Sequence, residues 1–180
     1  YTLVTGVQTC ALPIFGVANR GGQLLDAFRP HADAEIAALC DVSRSTLDRA
    51  QQRVGGKAAT FGDFRKLLDQ KDLDAVVIAT PDHWHALQTI AACNAGKDVY
   101  VEKPLSITVH EGRRMVECAR RTKRVVQVGI HRRSSQVYAR AAELIQRDGL
   151  GKVTVSRCYH LSNMYPAGIG KSAPGEPPAD

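Results

Sequence analysis

Short apolar runs alternate along most of this chain with stretches whose apolar residues recur every three or four positions. The runs at 35–41, 74–80, 98–102 and 125–129 are rich in Val, Ile, Leu and Ala and too short for helices. The full pattern predicts helix 22–30, strand 35–41, helix 44–54, short strand 58–61, helix 63–70 and strand 74–80. It continues with helix 83–95, strand 98–102, helix 109–122, strand 125–129, helix 135–147 and strand 152–161. Strands separated by helical crossovers at this spacing form a parallel sheet with helices on both faces, an α/β doubly wound fold. Gly55, Gly96 and Gly149 each follow a helical stretch, where a left-handed C-cap is wanted.

The strand predictions share a second feature. Each run ends in polar, chemically useful residues: Asp41 after 35–40, Thr80-Pro81 after 74–79, Glu102-Lys103-Pro104 after 98–101, and Gly129 to Arg133 after 125–128. In an open parallel sheet the carboxyl edge is where ligands bind. Gly16, Ala18 and Gly21 add a G-x-A-x-x-G turn opening an apolar helix, with Asn19 and Arg20 between them. Small residues there let the backbone approach a pyrophosphate at a helix N-terminus, where free N–H groups and the dipole favour an anion. Asp41, about twenty residues past Gly21, stands where a dinucleotide fold places the carboxylate that accepts ribose hydroxyls. That carboxylate favours NAD over NADP by repelling a 2′-phosphate, an effect that Arg44, one turn on, partly offsets.

With Thr80-Pro81-Asp82-His83-Trp84-His85, Ala95-Gly96-Lys97-Asp98, Glu102-Lys103-Pro104-Leu105 and Gln127-Val128-Gly129 in this order, the chain resembles the Gfo/Idh/MocA oxidoreductases from Gly16 to about Tyr165. The resemblance implies a nicotinamide dinucleotide held by a Rossmann domain at 16–133. A mixed α/β substrate domain follows, of which 134–180 would be the linking helix and first strand. It implies that Thr80 and Pro81 line the nicotinamide ribose, that His85 shapes that region, and that His131, with Arg132 and Arg133, follows Gly129 on the nicotinamide side. It also implies a cis Lys103–Pro104 bond. The histidine that relatives use as general acid/base lies in a portion absent here, so the chain reads as the front part of an enzyme.

Lys103 carries the central hypothesis. A lysine at a strand's carboxyl end, fixed by Pro104, presents its ammonium to the cleft. There it hydrogen-bonds the hydroxyl that becomes a carbonyl as hydride leaves for the nicotinamide, while Glu102 positions lysine and cofactor. The alternative is a surface lysine in a Glu102–Lys103 ion pair. The reading is a hydride-transferring oxidoreductase for a sugar, polyol or related compound, homo-oligomeric and cytoplasmic as the full-length parent, with twin-arginine export an alternative. Two rivals stand beside it, an NAD-dependent glycoside hydrolase and a non-catalytic dinucleotide sensor.

Composition narrows the remaining classes. No apolar run approaches the roughly twenty residues a membrane span needs. The net charge of +6 gathers in Arg113 to Arg133 without interleaved aromatics, and Arg120 to Arg124 fall at a helix end where cations meet the dipole, so nucleic acid is not the expected partner. His83 and His85, two apart at a helix start, diverge and have no zinc-spaced companions; His83 and Trp84 serve equally well as a structural turn capped by Asp82. The five cysteines contain no C-x-x-C pair, and Cys40, Cys93 and Cys118 sit among apolar neighbours as small buried side chains. Residues 1–15 fit worst. Pro13 falls where the family's first strand runs, and proline cannot donate to a central ladder. The segment resembles translated adapter sequence, so it is expected to be a non-native leader replacing the native strand, with a divergent edge strand as the alternative.

Overall fold

The computed structural model describes residues 9–159. In chain order they form β1 (Cys10–Phe15), α1 (Asn19–Phe28), β2 (Ala34–Cys40), α2 (Arg44–Arg53), β3 (Ala59–Phe61), α3 (Phe64–Leu68) and β4 (Ala75–Ile78). A 3-10 turn (Asp82–Trp84), α4 (His85–Asn94), β5 (Asp98–Glu102), α5 (Val109–Thr122) and β6 (Val126–Gly129) follow. After them come a second 3-10 turn (His131–Ser134) and α6 (Gln136–Gln146). The chain divides at Gly129/Ile130 into two units. The first holds all six strands, paired in parallel in the order β3-β2-β1-β4-β5-β6. The direction of winding reverses between β1 and β4.

Both faces of the sheet are covered, which is why its strands read as continuous apolar runs. Alternate residues sort to opposite sides. Phe15, Val76, Ile78, Val99 and Val101 pack with Phe64 and Leu67 of α3, Ala92 of α4 and Met115 of α5. Ile14, Leu39 and Val77 pack with Leu24 and Leu25 of α1 and Leu47 and Ala50 of α2. Helix ends follow local chemistry. Ser43 caps α2 by accepting from the Thr46 N–H, and Thr108 and Glu111 form a reciprocal capping box on α5.

β1 departs from expectation. It lies in the centre of the sheet, not at an edge, although it contains Pro13. The fold admits the proline through a register shift. Leu12 faces Ile36 but Pro13 faces Ala38, so Ala37 is bulged out and the ladder is broken where the donor is missing. The strand expected at 152–161 is also absent. Residues 153–159 carry no strand, Val153, Val155 and Tyr159 are exposed, and 160–161 lie outside the described residues. An apolar alternation alone does not make a strand, because the backbone also needs a ladder partner. Gly55 and Gly96 take the left-handed conformation expected after helices, whereas after α6 that role falls to Asp148 and Gly151 in place of Gly149. Among the described residues no helix is long and apolar enough to cross a membrane.

Central placement of β1 has a measurable consequence. Ile14 is fully buried, so Ile14→Ala should lower unfolding free energy by about 2–4 kcal/mol. Urea denaturation checks this, and a loss below about 1 kcal/mol would contradict a central β1.

Candidate functional site

Because every strand runs the same way, the ends of β2, β1, β4, β5 and β6 bring Asp41, Gly16, Thr80, Lys103 and Gly129 to one edge in that spatial order. At its centre the chain turns sharply from β1 into α1. Gly16 has φ +74, and a Cβ there would lie 2.8 Å from the Ala79 carbonyl oxygen; a Cβ on Gly21 would collide with the Gly16 carbonyl. Only glycines let α1 start this close to the strand ends. Ala18 precedes the helix and offers no side-chain cap, and Asn19 sits at φ 27. The first-turn N–H groups of α1 are therefore left for an external acceptor, unlike those of α2, α3 and α5.

Asp41 stands beside this turn. Its Oδ2 accepts from the Val17 N–H at 3.0 Å and its Oδ1 from the Ser43 N–H at 2.9 Å. The carboxylate thus braces the glycine-rich loop as well as facing the edge. Between it and Thr80 opens a cavity of about 360 Å³, walled by Gly16, Val42, Asp63, Phe64, Arg65, Pro81 and Trp84 among others. The Arg65 guanidinium lies 4.7 Å from the centre of the Phe64 ring, which meets Trp84 edge-on. The Asp63 carboxyl is held below its ordinary value by the Arg65 backbone N–H it accepts from. Sequence reasoning passed over Phe64 and Arg65 and left Trp84 undecided. The only signal was Gly62-Asp63 closing the short third strand at the same edge.

On the other side of Gly16, the Thr80 hydroxyl donates to Gln88 Oε1 at 2.7 Å. His85 is 1% exposed. Its Nε2 lies 2.8 Å from the Thr80 carbonyl oxygen and its Nδ1 2.6 Å from that of Pro104. It therefore spans the ends of β4 and β5. Carbonyl oxygens only accept, so a neutral imidazole donates to one of them, and donating to both takes a second proton. The Lys103–Pro104 peptide is cis. Lys103 is exposed, and among the described residues its ammonium makes no ion pair. Glu102 instead is 3% exposed and pairs with Arg20 of α1, Nε to Oε1 at 2.8 Å. The alternative reading, a Glu102–Lys103 ion pair, is not what forms among the described residues.

Two residues of the predicted set are not among those assembled at the edge of the first unit. Arg44 pairs with Asp48 of its own helix, Nε to Oδ1 at 3.4 Å, as an exposed i,i+4 ion pair, and is not among the residues that wall the cavity. His131 belongs to the second unit, in the turn before α6. Gly16, Ala18, Asn19, Arg20, Gly21, Asp41, Thr80, Pro81, His85, Glu102, Lys103, Pro104 and Gly129 are all in the first unit at or beside its carboxyl edge. Lys97 of the A-G-K run lies before β5, at the opposite edge, where its ammonium donates to the Leu73 and Lys71 carbonyls. That lysine serves the fold.

Residues 12–130 match the family model of the Gfo/Idh/MocA oxidoreductases, described as an oxidoreductase family with an NAD-binding Rossmann fold. The chain belongs to that family. Inositol 2-dehydrogenase 3 of Saccharopolyspora erythraea is 36% identical over 135 residues, 74% of this chain and 39% of that protein. Glycosyl hydrolase family 109 protein 1 of Shewanella sp. strain ANA-3 is 36% identical over 117 residues, covering 61% of this chain and 26% of its own. Among solved structures, scyllo-inositol dehydrogenase from Lactobacillus casei with bound NAD(H) and scyllo-inositol superposes with a TM-score of 0.73 at 28% identity. The match covers 81% of this chain and 43% of that one. The chain spans about two fifths of the length of the inositol dehydrogenases it matches.

The thiol beside Asp41 gives a pH test. Burial pushes Cys40 up to about 12, with Asp41 and Asp63 adding to it, and burial, then Cys118, pushes Cys93 to about 11. An unfolded thiol ionises near 9.0. Above that pH the unfolded chain releases protons that the native chain retains, so stability is present below 9 and falls as pH rises toward 12. Urea midpoints should drop progressively from pH 9 upward. Native Cys40 and Cys93 should resist iodoacetamide at pH 8.5; rapid labelling would contradict their burial.

Proposed function

We propose that this chain forms the dinucleotide-binding part of an NAD-dependent oxidoreductase that oxidises a hydroxyl of a sugar or polyol. The observation that carries the reading is the sheet edge itself: an uncapped helix N-terminus at the glycine turn, flanked by Asp41 on one side and Lys103 on the other. Family membership and the polyol dehydrogenases among its relatives support it.

The residues present suit the cofactor. The first turn of α1 offers N–H groups to the diphosphate, with Gly16, Ala18 and Gly21 small enough for close approach. Asp41 and the 360 Å³ cavity suit the adenosine ribose, and Asp63 adds a second carboxylate disfavouring a 2′-phosphate. Thr80 and Pro81 suit the nicotinamide ribose. Bound NAD would supply the hydride acceptor. Lys103 would then donate a charge-assisted hydrogen bond to the reacting oxygen of the substrate and stabilise the negative charge that develops on it. Glu102 and His85 fix the backbone on either side of that lysine, through the Lys103 N–H and the Pro104 carbonyl.

A second reading has one specific support, the similarity to a family 109 glycosyl hydrolase. Transient oxidation on the same edge would loosen a glycosidic bond there, so released sugar without net NADH from the full-length parent would favour it.

Two outcomes are expected. By calorimetry the chain binds NAD weakly but more tightly than NADP, and Asp41→Ser weakens NAD about tenfold or more by removing charge-assisted hydrogen bonds. NADP binding more tightly and unchanged by Asp41→Ser would overturn the assignment. In the full-length parent, Lys103→Met leaves cofactor affinity within a few-fold while turnover falls about a hundredfold. Intact turnover at saturation would make Lys103 structural.

A further inference from the structure

We propose that Arg20 is a positioning residue for the Lys103 turn, acting through the buried carboxylate of Glu102 and not by binding phosphate. The inference rests on the reading of Lys103 given above. The place of Arg20 in the glycine-rich turn suggests a diphosphate contact, yet two of its five N–H donors, the inner Nε–H among them, are directed elsewhere. Nε donates to Glu102 Oε1 at 2.8 Å and an Nη to Gln23 at 3.0 Å. That ion pair joins residues 82 positions apart, the first turn of α1 and the last residue of β5.

The carboxylate sits in a place built for it. Tyr100 Oη donates to Oε1 at 3.4 Å, and the Lys103 N–H reaches Oε2 at 3.3 Å. The end of β6 supplies the room. A Cβ on Gly129 would lie 2.8 Å from Glu102 Oε1 and 2.6 Å from Tyr100 Oη. Burial and the Glu102 charge raise the Tyr100 hydroxyl above its ordinary value, as expected of a phenol facing an anion. Among the described residues Arg20 is the cation paired with this carboxylate. An unpaired buried carboxylate is strongly unfavourable, so without Arg20 it swings outward toward water. That movement releases the Lys103 N–H. Occupied by Arg20, Glu102 also leaves the neighbouring ammonium available, in place of the Glu–Lys pair that would neutralise it.

The pair thus couples the loop that would seat the diphosphate to the backbone of the lysine that would meet the substrate. A phosphate-binding arginine behaves differently when its carboxylate partner is removed, because the guanidinium is then released toward the anion.

The test uses this chain and four variants, reading NAD affinity by calorimetry and exchange of the Lys103 amide by NMR without ligand. Arg20→Met should speed that exchange about tenfold and weaken NAD about tenfold; Arg20→Lys should recover part of both. Combining Arg20→Met with Glu102→Gln should return both to within a few-fold of the unsubstituted chain, since a neutral amide needs no counter-charge. Gly129→Ala should speed the exchange with Arg20 in place, and it decides the matter should Arg20→Met fail to fold. NAD binding that stays weak in the double variant while Lys103 exchange never changes would make Arg20 a phosphate ligand and overturn the inference. Failure of the unsubstituted chain to bind NAD would sink the cofactor reading and is scored apart from the exchange cycle.

Discussion

The close approach of α1 to the strand ends is the constraint on which the rest of the edge depends. The space where Gly16 and Gly21 would carry side chains is already filled by the Ala79 and Gly16 carbonyls. Widening that contact by one methyl group would lift the helix away from β1 and β4. Arg20 would then leave the reach of Glu102, and the Val17 N–H would leave Asp41. Both braces are polar, partly buried and join segments far apart in the sequence, so they hold only while the helix stays seated.

The parallel sheet was legible because strands such as β4 and β5 are largely buried on both faces, and each apolar run ends where the edge begins. The same logic located Asp41, Thr80, Lys103 and Gly129. What the sequence could not show was pairing. Glu102 stands next to Lys103 in the chain, but its partner is 82 residues away, and no local spacing encodes that. Arg44 illustrates the converse, since a nearer carboxylate at i,i+4 captured a side chain that strand-end logic aimed at the cofactor. The 152–161 alternation looked like a strand because periodicity records faces and says nothing of a ladder partner.

Motif residues divide by what they serve. Lys97 and Lys103 belong to the same recognisable stretch around β5, yet one closes the amino edge with two carbonyl contacts and the other projects from the carboxyl edge. His85 falls between these cases. It stands behind the cavity wall, against the Thr80 carbonyl, and joins the two strand ends that flank the proposed hydride-transfer region. A signature shared across a family therefore mixes parts of the frame with parts of the tool, and only contacts separate them.

The bulge in β1 has a consequence for how the sheet tolerates change. Ile14 and Phe15 are registered with both neighbouring strands, whereas Cys10 to Leu12 are registered with β2 and meet the β4 side through Ala11, which bonds Asp74 by its N–H and its carbonyl. The strand thus meets its two neighbours unequally, with a two-residue keystone next to the ligand edge and a lead-in whose tie to the β4 side is a single residue, Ala11, and whose Leu12 is buried. The sheet absorbs a proline at its centre because the ladder is interrupted away from the glycine turn, so the turn inherits its geometry from Ile14 and Phe15 and not from the residues before the bulge.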